Sequence, residues 1–258
     1  MNWILLRGLG RIQDHWLDFP TLLKTHEYDR VECLDLPGFG RYSHVETPFT
    51  IRRHTDFLRE EFSKLREKDR TDGANQNDDR HKWTLVGLSL GGMVALDWVY
   101  RQPHDFDRLA IINTSSRDMA TWLQRFSPFA YYRVARALSA PTIQLREKEI
   151  LKLVSNLRVK DKKLLHQLVN IAKKNPVDRL SLARQLIAAA QFKCPERIEI
   201  PLLAISSLKD RMVDGRCSKM IGERLHARMK FHPTAGHDLP LDDPEWLATQ
   251  LLEFANAP

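Results

Sequence analysis

The sequence predicts an α/β protein: a mainly parallel sheet of about six strands, flanked by helices and interrupted by an inserted helical segment. Three observations lead to this fold class. Short apolar runs alternate with helical periodicity over the first 115 residues, which is typical of β–α units in a parallel sheet. From about residue 117 to 190 the spacing of apolar residues is helical throughout. The alternation of strands and helices then resumes.

Each predicted strand is a short run of apolar, β-favouring residues. In chain order the strands cover residues 3–6, 31–36, 83–86, 109–112, 202–205 and 229–232. A helix begins at Ile51, with Leu58 and Phe62 on one face. The polar stretch 66–82 predicts a flexible loop. A final helix begins near Pro244, and Asp243 is a suitable cap for it.

The domain prediction is a core of residues 1–115 and 193–258 with a helical lid, 116–192, of four or so helices. The lid carries 15 Lys plus Arg and 5 Asp plus Glu, a balance of +10, so the rest of the chain sums to −3 of the total +7. A localised basic segment favours an anionic partner, but it is equally typical of solvated helix faces. Both interpretations stay open.

Composition excludes some classes of protein. The chain has 258 residues and is 43% hydrophobic, but its apolar runs are too short for a membrane span. The first residues predict a strand rather than a signal peptide, because a basic leader and a cleavage site are missing. Cys33, Cys194 and Cys217 are far apart without metal-ligand spacing, which predicts reduced thiols in a cytoplasmic protein.

A serine stands at the centre of residues 87–91, with the sequence GLSLG, between a predicted strand and a predicted helix. A tight strand-to-helix turn holds such a serine at the mouth of a pocket, and small residues two positions away on each side let the chain turn. This pattern predicts that Ser89 is a nucleophile. A serine hydroxyl needs a base to act at neutral pH, and the base needs an orienting carboxylate.

His237 is the predicted base, because it lies in a glycine-bearing turn between the last strand and the last helix. His15, in the first loop, is its nearest competitor.

For the carboxylate, Asp210 follows the strand 202–205, and a loop at that end of a parallel strand faces the same crevice as Ser89. Asp214 and Asp238 are its rivals, and both also suit a surface turn or a helix start. The order Ser89, Asp210, His237 is the order of a hydrolase triad in this architecture.

Negative charge on a carbonyl oxygen requires an oxyanion hole, which two backbone amides usually form. The amide of Leu90, directly after the serine, is the first predicted donor. Leu9 is the second, because it lies in the loop Arg7-Gly8-Leu9-Gly10 that follows the first strand.

Together these motifs resemble those of the α/β-hydrolase superfamily. Residues 35–43 (DLPGFGRYS) are similar to the family's Asp-x-Pro-Gly-x-Gly-x-Ser turn, and 235–237 followed by Asp243-Pro244 resembles its ending. The chain is most similar to small lidded serine esterases, including the methyl esterase that acts on pimeloyl-carrier protein, and also resembles the menaquinone-pathway lyase of this shape. Two features depart from the pattern. Arg7 stands where His is common, which predicts a cation at the pocket floor or mouth. The chain also starts at what would be the family's third strand, which predicts six parallel strands without the usual antiparallel leader pair.

The resemblance implies a serine esterase that hydrolyses a small ester or acyl substrate without a metal or an organic cofactor. A thioesterase or methyl esterase that docks an acidic acyl carrier protein through the basic lid is an alternative. A lid resting on anionic lipid is another, which exposure of Trp122, Phe126, Phe129 and Tyr132 would favour. Cofactorless oxygenase chemistry and a non-catalytic binding protein also remain open. No motif for reading nucleic acid is present in the sequence, and integral membrane association is not expected.

Overall fold

Six parallel strands form one sheet in a computed structural model that describes residues 1–27, 29–71 and 83–257. The strand order is β2-β1-β3-β4-β5-β6, and every neighbouring pair is parallel. The predicted fold class is thereby confirmed. The strands are β1 (Asn2–Leu6), β2 (Arg30–Leu34), β3 (Trp83–Leu88), β4 (Arg108–Ile112), β5 (Leu202–Ser207) and β6 (Arg228–His232).

Helices connect the parallel strands, as crossover connections in such a sheet require. Short 3₁₀ helices cover Gln13–Trp16, Gly40–Tyr42 and Pro103–Asp105. The α-helices are α1 (Phe19–Leu22), α2 (Ile51–Thr71), α3 (Leu90–Arg101), α4 (Trp122–Arg125), α5 (Pro128–Leu138), α6 (Ile143–Val154), α7 (Lys162–Lys174), α8 (Arg179–Gln191), α9 (Gly215–Arg224), α10 (Leu239–Asp242) and α11 (Pro244–Ala255).

The core has two layers because successive side chains of a strand point to opposite faces of the sheet. In β1, Ile4 and Leu6 pack on one face with residues of α2, α3 and α9. Trp3 and Leu5 pack on the other face with residues of α1 and α11. Both faces of the sheet are therefore covered, as expected for parallel strands.

The loop predicted at 66–82 is wrong in its first part. Helix α2 continues to Thr71, because Arg, Glu and Lys, which dominate residues 66–70, favour a helix. Residues 72–82 lie outside the described part of the chain. The last helix begins as predicted: Asp243 accepts a hydrogen bond from Trp246 N at 3.1 Å, and Pro244 is its first residue.

Five described helices, α4 to α8, occupy the segment that was predicted to hold four or so. We call residues 116–192 the helical insertion. Leu151, Leu164 and Leu168 form an apolar cluster within it, and Met212 and Leu241 of the sheet-bearing part extend that cluster. The insertion thus packs on the loops after β5 and β6, whereas its action as a lid stays a prediction. No helix among residues 1–27, 29–71 and 83–257 is both long and apolar enough to cross a membrane.

The cysteines are free thiols in the structure, as their spacing predicts. Burial raises the pKa of Cys33, Cys194 and Cys217 to about 12 in each case. Since a thiolate is the reactive form of cysteine, these thiols are poor nucleophiles.

Candidate active site

The predicted site residues follow the carboxyl ends of the strands, which all meet at one edge of the sheet. Ser89 follows β3, Asp210 follows β5, His237 follows β6 and Leu9 follows β1. Strand β1 pairs with both β2 and β3. The chain therefore places β2 on one side of β1 and the later strands on the other side, and the order of the strands switches between β1 and β3. Such a switch point leaves a crevice in which α/β proteins bind ligands.

Ser89 is held in a strained turn between β3 and α3. Its backbone has φ 57° and ψ −115°, in the left-handed half of conformational space that costs a non-glycine residue about 1–3 kcal/mol. The turn is fixed because Ser89 N donates to Ile112 O at 2.8 Å. A Cβ on Gly87 would lie 2.4 Å from Gly91 O, and one on Gly91 would lie 2.4 Å from Leu6 O. Both positions therefore require glycine, as the nucleophile-elbow prediction expects.

Asp210 and His237 form a buried pair. His237 Nδ1 lies 2.7 Å from Asp210 Oδ2, and the side chains are 6% and 1% exposed. Asp210 Oδ1 accepts from Met212 N at 2.7 Å and Val213 N at 3.0 Å, so the carboxylate is held in place. Burial disfavours the charged imidazole, but the charge and hydrogen bond of Asp210 outweigh it and raise the pKa of His237. This arrangement leaves Nε2 as the nitrogen available for proton transfer.

The structure gives each rival of these residues a different partner. Asp214 caps α9 through Arg216 N at 2.9 Å and also binds the Arg216 guanidinium. Asp238 pairs with Arg7. His15 accepts from Ile12 N at 3.1 Å, and burial followed by the charges of Arg11 and Arg7 lowers its pKa well below the usual value.

The serine and the histidine are not joined directly. Among the described residues, Ser89 Oγ makes no hydrogen bond with His237, so this contact has to form on substrate binding if the two act together. Asn113, directly after β4, joins the loop of His237 to the end of β5. Its Nδ2 donates to His237 O at 2.8 Å and its Oδ1 accepts from Ser207 N at 2.8 Å. Sequence reasoning missed Asn113; its one signal is a polar residue at the end of a buried strand.

The loop after β1 lies against the serine. A Cβ on Gly8 would be 3.1 Å from Ser89 Cβ and 3.7 Å from Ser89 Oγ. Within the described residues neither Leu9 N nor Leu90 N donates a hydrogen bond to the protein. These two amides are therefore free to receive an oxyanion, which is what the predicted oxyanion hole needs.

Arg7 does not lie at the pocket mouth, which was one of its two predicted places. It is 1% exposed and forms a two-pronged ion pair with Asp238, in which Nη1 donates to Oδ1 at 3.1 Å and Nη2 contacts Oδ2. Its guanidinium also stacks over Trp16 at 4.8 Å from the ring centre. The pair ties the loop that carries Leu9 to the residue after His237.

We expect Arg7→Met to lower the free energy of unfolding by about 3–5 kcal/mol, because it leaves the Asp238 carboxylate buried without a partner. Urea unfolding followed by circular dichroism measures this change. The control is Arg197→Met, since Arg197 and Glu199 form a pair that is 78% and 57% exposed, and such pairs contribute about 0–1 kcal/mol. Equal losses in the two variants would contradict the prediction, and adding Asp238→Asn to Arg7→Met should restore part of the loss.

Asp242 connects the helical insertion to the histidine loop, and sequence reasoning missed it too. It is 6% exposed and accepts hydrogen bonds from Gly236 N at 2.6 Å, Asn156 N at 2.8 Å and Leu157 N at 3.2 Å. Since Gly236 precedes His237, the insertion helps to fix the position of the proposed base.

Much of the charge of the insertion is used internally. Buried Glu149 contacts Arg133 at 2.7 Å, Lys152 at 3.1 Å and Arg136 at 3.3 Å. The aromatic residues divide, since Trp122 and Tyr132 are 66% and 54% exposed whereas Phe126 and Phe129 pack on the apolar cluster of the insertion. Docking on an acidic protein or a lipid surface thus stays a prediction.

Two cavities, of about 280 and 320 Å³, lie away from these residues. The first lies between Trp16, Arg158 and Glu245, and the second between Ile198 and Arg224. Neither lining includes Ser89, Asp210 or His237, so neither cavity is the candidate active site.

The strand order, the elbow and the histidine loop define an α/β-hydrolase architecture. A family model described as "Alpha/beta hydrolase family" matches residues 3–250, and the chain therefore belongs to that family.

Among curated proteins, the chain is similar to a candidate carbamate hydrolase, RutD of Agrobacterium fabrum, with 30% identity over 115 residues. This match spans 44% of the chain and 38% of the relative. Among solved structures, an enol-lactonase from Burkholderia xenovorans is similar over 99% of this chain and 92% of its own, with TM-score 0.77 and 19% identity. An esterase from Exiguobacterium antarcticum is similar over 100% and 92%, with TM-score 0.78 and 14% identity. These structural likenesses show the fold.

Proposed function

We propose that the protein is a serine hydrolase that cleaves a carboxylic ester through Ser89, His237 and Asp210. The observation that carries the proposal is the buried Asp210–His237 contact of 2.7 Å at the same edge of the sheet as a serine in a strained strand-to-helix turn. A strained turn costs stability, a buried aspartate–histidine pair perturbs the pKa of its histidine, and both features are typical of catalytic sites. The family membership supports hydrolysis, and the relatives named above include an esterase and an enol-lactonase.

In the proposed reaction, Ser89 Oγ attacks the ester carbonyl carbon while its proton passes to His237 Nε2. The carbonyl electrons move onto oxygen, where the Leu9 and Leu90 amides donate hydrogen bonds to the negative charge. Asp210 stabilises the imidazolium and keeps its Nδ1–H directed at the carboxylate. The intermediate then expels the alcohol, which takes the proton from Nε2 and leaves an acyl group on Ser89.

Water completes the cycle. It attacks the acyl carbon and gives a proton to His237 Nε2, the oxyanion forms again at the same two amides, and the C–O bond to Ser89 breaks. Ser89 Oγ takes back the proton, and the carboxylic acid leaves. All groups in these steps belong to the chain or to water.

The other functions stay predictions. A thioesterase or methyl esterase that acts on an acyl carrier protein or CoA docked by the basic lid would use the same triad, and cofactorless oxygenase chemistry would use it as a base. A binding protein without turnover would leave Ser89 unreactive. The Asp210–His237 contact favours the hydrolase over the binding protein, because a binding site has no use for an oriented base. We further expect short to medium acyl esters as substrates rather than long-chain lipids, and the cytoplasmic location stays a prediction.

The experiment that tests the proposal combines a p-nitrophenyl ester series, from acetyl to palmitoyl, with labelling by a fluorophosphonate. We expect hydrolysis of at least one ester and a phosphonyl adduct that peptide mass mapping places on Ser89. The chain-length optimum then measures the acyl pocket. A folded protein that hydrolyses no ester and takes no label on Ser89 would refute the proposal and favour the binding protein.

A further inference from the structure

The helical insertion reaches the loop that carries the proposed oxyanion donor. Gln185 of α8 accepts a hydrogen bond from Gly10 N to its Oε1 at 2.9 Å. Gly10 directly follows Leu9, and Leu182, one helical turn before Gln185, packs against Gly10. The contact joins residues 175 positions apart in the sequence. One helix of the insertion therefore fixes the backbone beside the Leu9 amide.

The buried position of the Gln185 side chain costs stability. Its side chain is completely buried, and its Nε2 has no hydrogen-bond partner among the described residues. A buried unpartnered amide group costs about 1–3 kcal/mol, which offsets much of what the hydrogen bond to Gly10 contributes to stability. The orientation of the amide is defined, because a flipped amide would place Nε2 against the Gly10 N–H, donor against donor.

A second contact holds the same loop. Arg11 Nη1 binds Glu147 Oε2 of α6 at 2.9 Å, and the two side chains are 11% and 3% exposed. Arg7 is held by Asp238 at the other end of the loop. Of the two polar contacts that join this loop to the insertion, the one at Gly10 is nearer to Leu9, so Gln185 has the larger influence of the two on where the Leu9 N–H points.

We propose that Gln185 is a positioning residue for the oxyanion hole: it holds Gly10 so that the Leu9 N–H faces the oxygen formed during attack by Ser89. The inference rests on the proposed function, since it assigns the insertion a part in that same reaction. The helical insertion then does more than cover the site. It completes the site by way of the amide that stabilises the oxyanion.

The test compares Gln185→Met with wild type on the best p-nitrophenyl ester. Loss of one oxyanion donor lowers kcat about 10²–10³-fold, so a misplaced donor is expected to lower kcat/KM by roughly 10- to 100-fold. The loss should appear in kcat, with KM within about twofold, because the amide acts in the transition state. Affinity for an alkyl boronic acid, whose adduct with Ser89 presents an oxyanion, should fall by a similar factor. The midpoint of the pH–rate profile should not move, because the Asp210–His237 pair is unchanged.

The melting temperature separates positioning from a structural role. We expect Gln185→Met to melt close to the wild-type temperature, because it removes the unpartnered Nε2 and also the acceptor of the half-buried Gly10 N–H, two effects of opposite sign. Gln191→Met is the matched control, since Gln191 is an exposed glutamine on the same helix, and its activity should equal that of wild type. Amide hydrogen exchange should rise in a peptide covering residues 8–12 of the Gln185→Met variant.

Each outcome has a defined meaning. Unchanged kcat/KM and unchanged boronate affinity in a folded Gln185→Met variant would overturn the inference while wild-type activity upholds the proposed function. If Gln185→Met does not fold, Gln185→Asn is used, which keeps an amide but withdraws it from Gly10, and an unchanged kcat there overturns the inference too. Wild type without ester hydrolysis or label on Ser89 would instead refute the proposed function itself.

Discussion

Ser89→Ala is expected to abolish ester hydrolysis, with a fall in kcat of about 10⁵–10⁶-fold. The reason is chemical: the variant loses the oxygen that forms the acyl intermediate, and His237 is left without a proton to accept. The residual rate should be that of water attack helped by the two oxyanion amides. Steady-state kinetics on the best p-nitrophenyl ester measures kcat, and the fluorophosphonate adduct should disappear.

The variant should fold like the wild type. Alanine keeps the Cβ that Ser89 already holds in the strained turn, and Ser89 N still donates to Ile112 O. Ser218→Ala is the control, because Ser218 is also buried and donates its Oγ to Thr114 O at 3.0 Å rather than to Ser89, Asp210 or His237. We expect Ser218→Ala to keep wild-type activity. A Ser89→Ala protein with more than about a hundredth of wild-type activity would contradict the nucleophile assignment.

The elements of the sheet could be predicted because their signal is local. Buried parallel strands are short apolar runs, and all six runs are strands in the structure. The elbow could also be predicted. Close contacts exclude a side chain at Gly87 and at Gly91, and these two positions belong to one pattern of five residues. Helix α2 extends past residue 65, where the predicted loop follows. Charged helix-favouring residues occur both in loops and at the ends of helices, so their sequence does not distinguish the two.

The supports of the site could not be predicted because their partners are distant in sequence. Arg7 and Asp238 are 231 positions apart, and a lone arginine after a strand predicts a cation near solvent rather than a buried pair. Asn113 and Gln185 likewise depend on partners 124 and 175 positions away. Each is a single polar residue, and a single residue has no periodicity from which its role could be inferred.

The choice of carboxylate follows from geometry more than from sequence. Asp210, Asp214 and Asp238 all lie in suitable loops, but in the structure only Asp210 among these three contacts His237 through its side chain, at 2.7 Å. Chain order disfavours Asp238, which follows His237, but fits Asp214 as well as Asp210, and Asp210→Asn and Asp214→Asn separate these two.

Asp210→Asn is expected to lower kcat by about 10⁴-fold near neutral pH. An asparagine amide does not stabilise the imidazolium that forms during attack, and its NH₂ favours the tautomer with the proton on the wrong nitrogen of His237. Asp214→Asn is the matched control, because Asp214 caps α9 and pairs with Arg216. That variant is expected to lose about 0.5–2 kcal/mol of stability at most and to keep its activity. The reverse result would exchange the roles of the two aspartates.

The pH–rate profile of Asp210→Asn tests in which direction Asp210 shifts the pKa of His237. In wild type, burial opposes the charged form of His237, but Asp210 raises the pKa of this histidine above its usual value. Because the base acts in its neutral form, kcat/KM of wild type should increase as the pH rises through that raised pKa. Asp210→Asn removes the charge and keeps the burial, so the pKa of His237 falls and the increase moves to lower pH. Profiles measured between about pH 5 and pH 9 test this shift. A midpoint that stays in place, or moves to higher pH, would show that Asp210 does not set the protonation of the base.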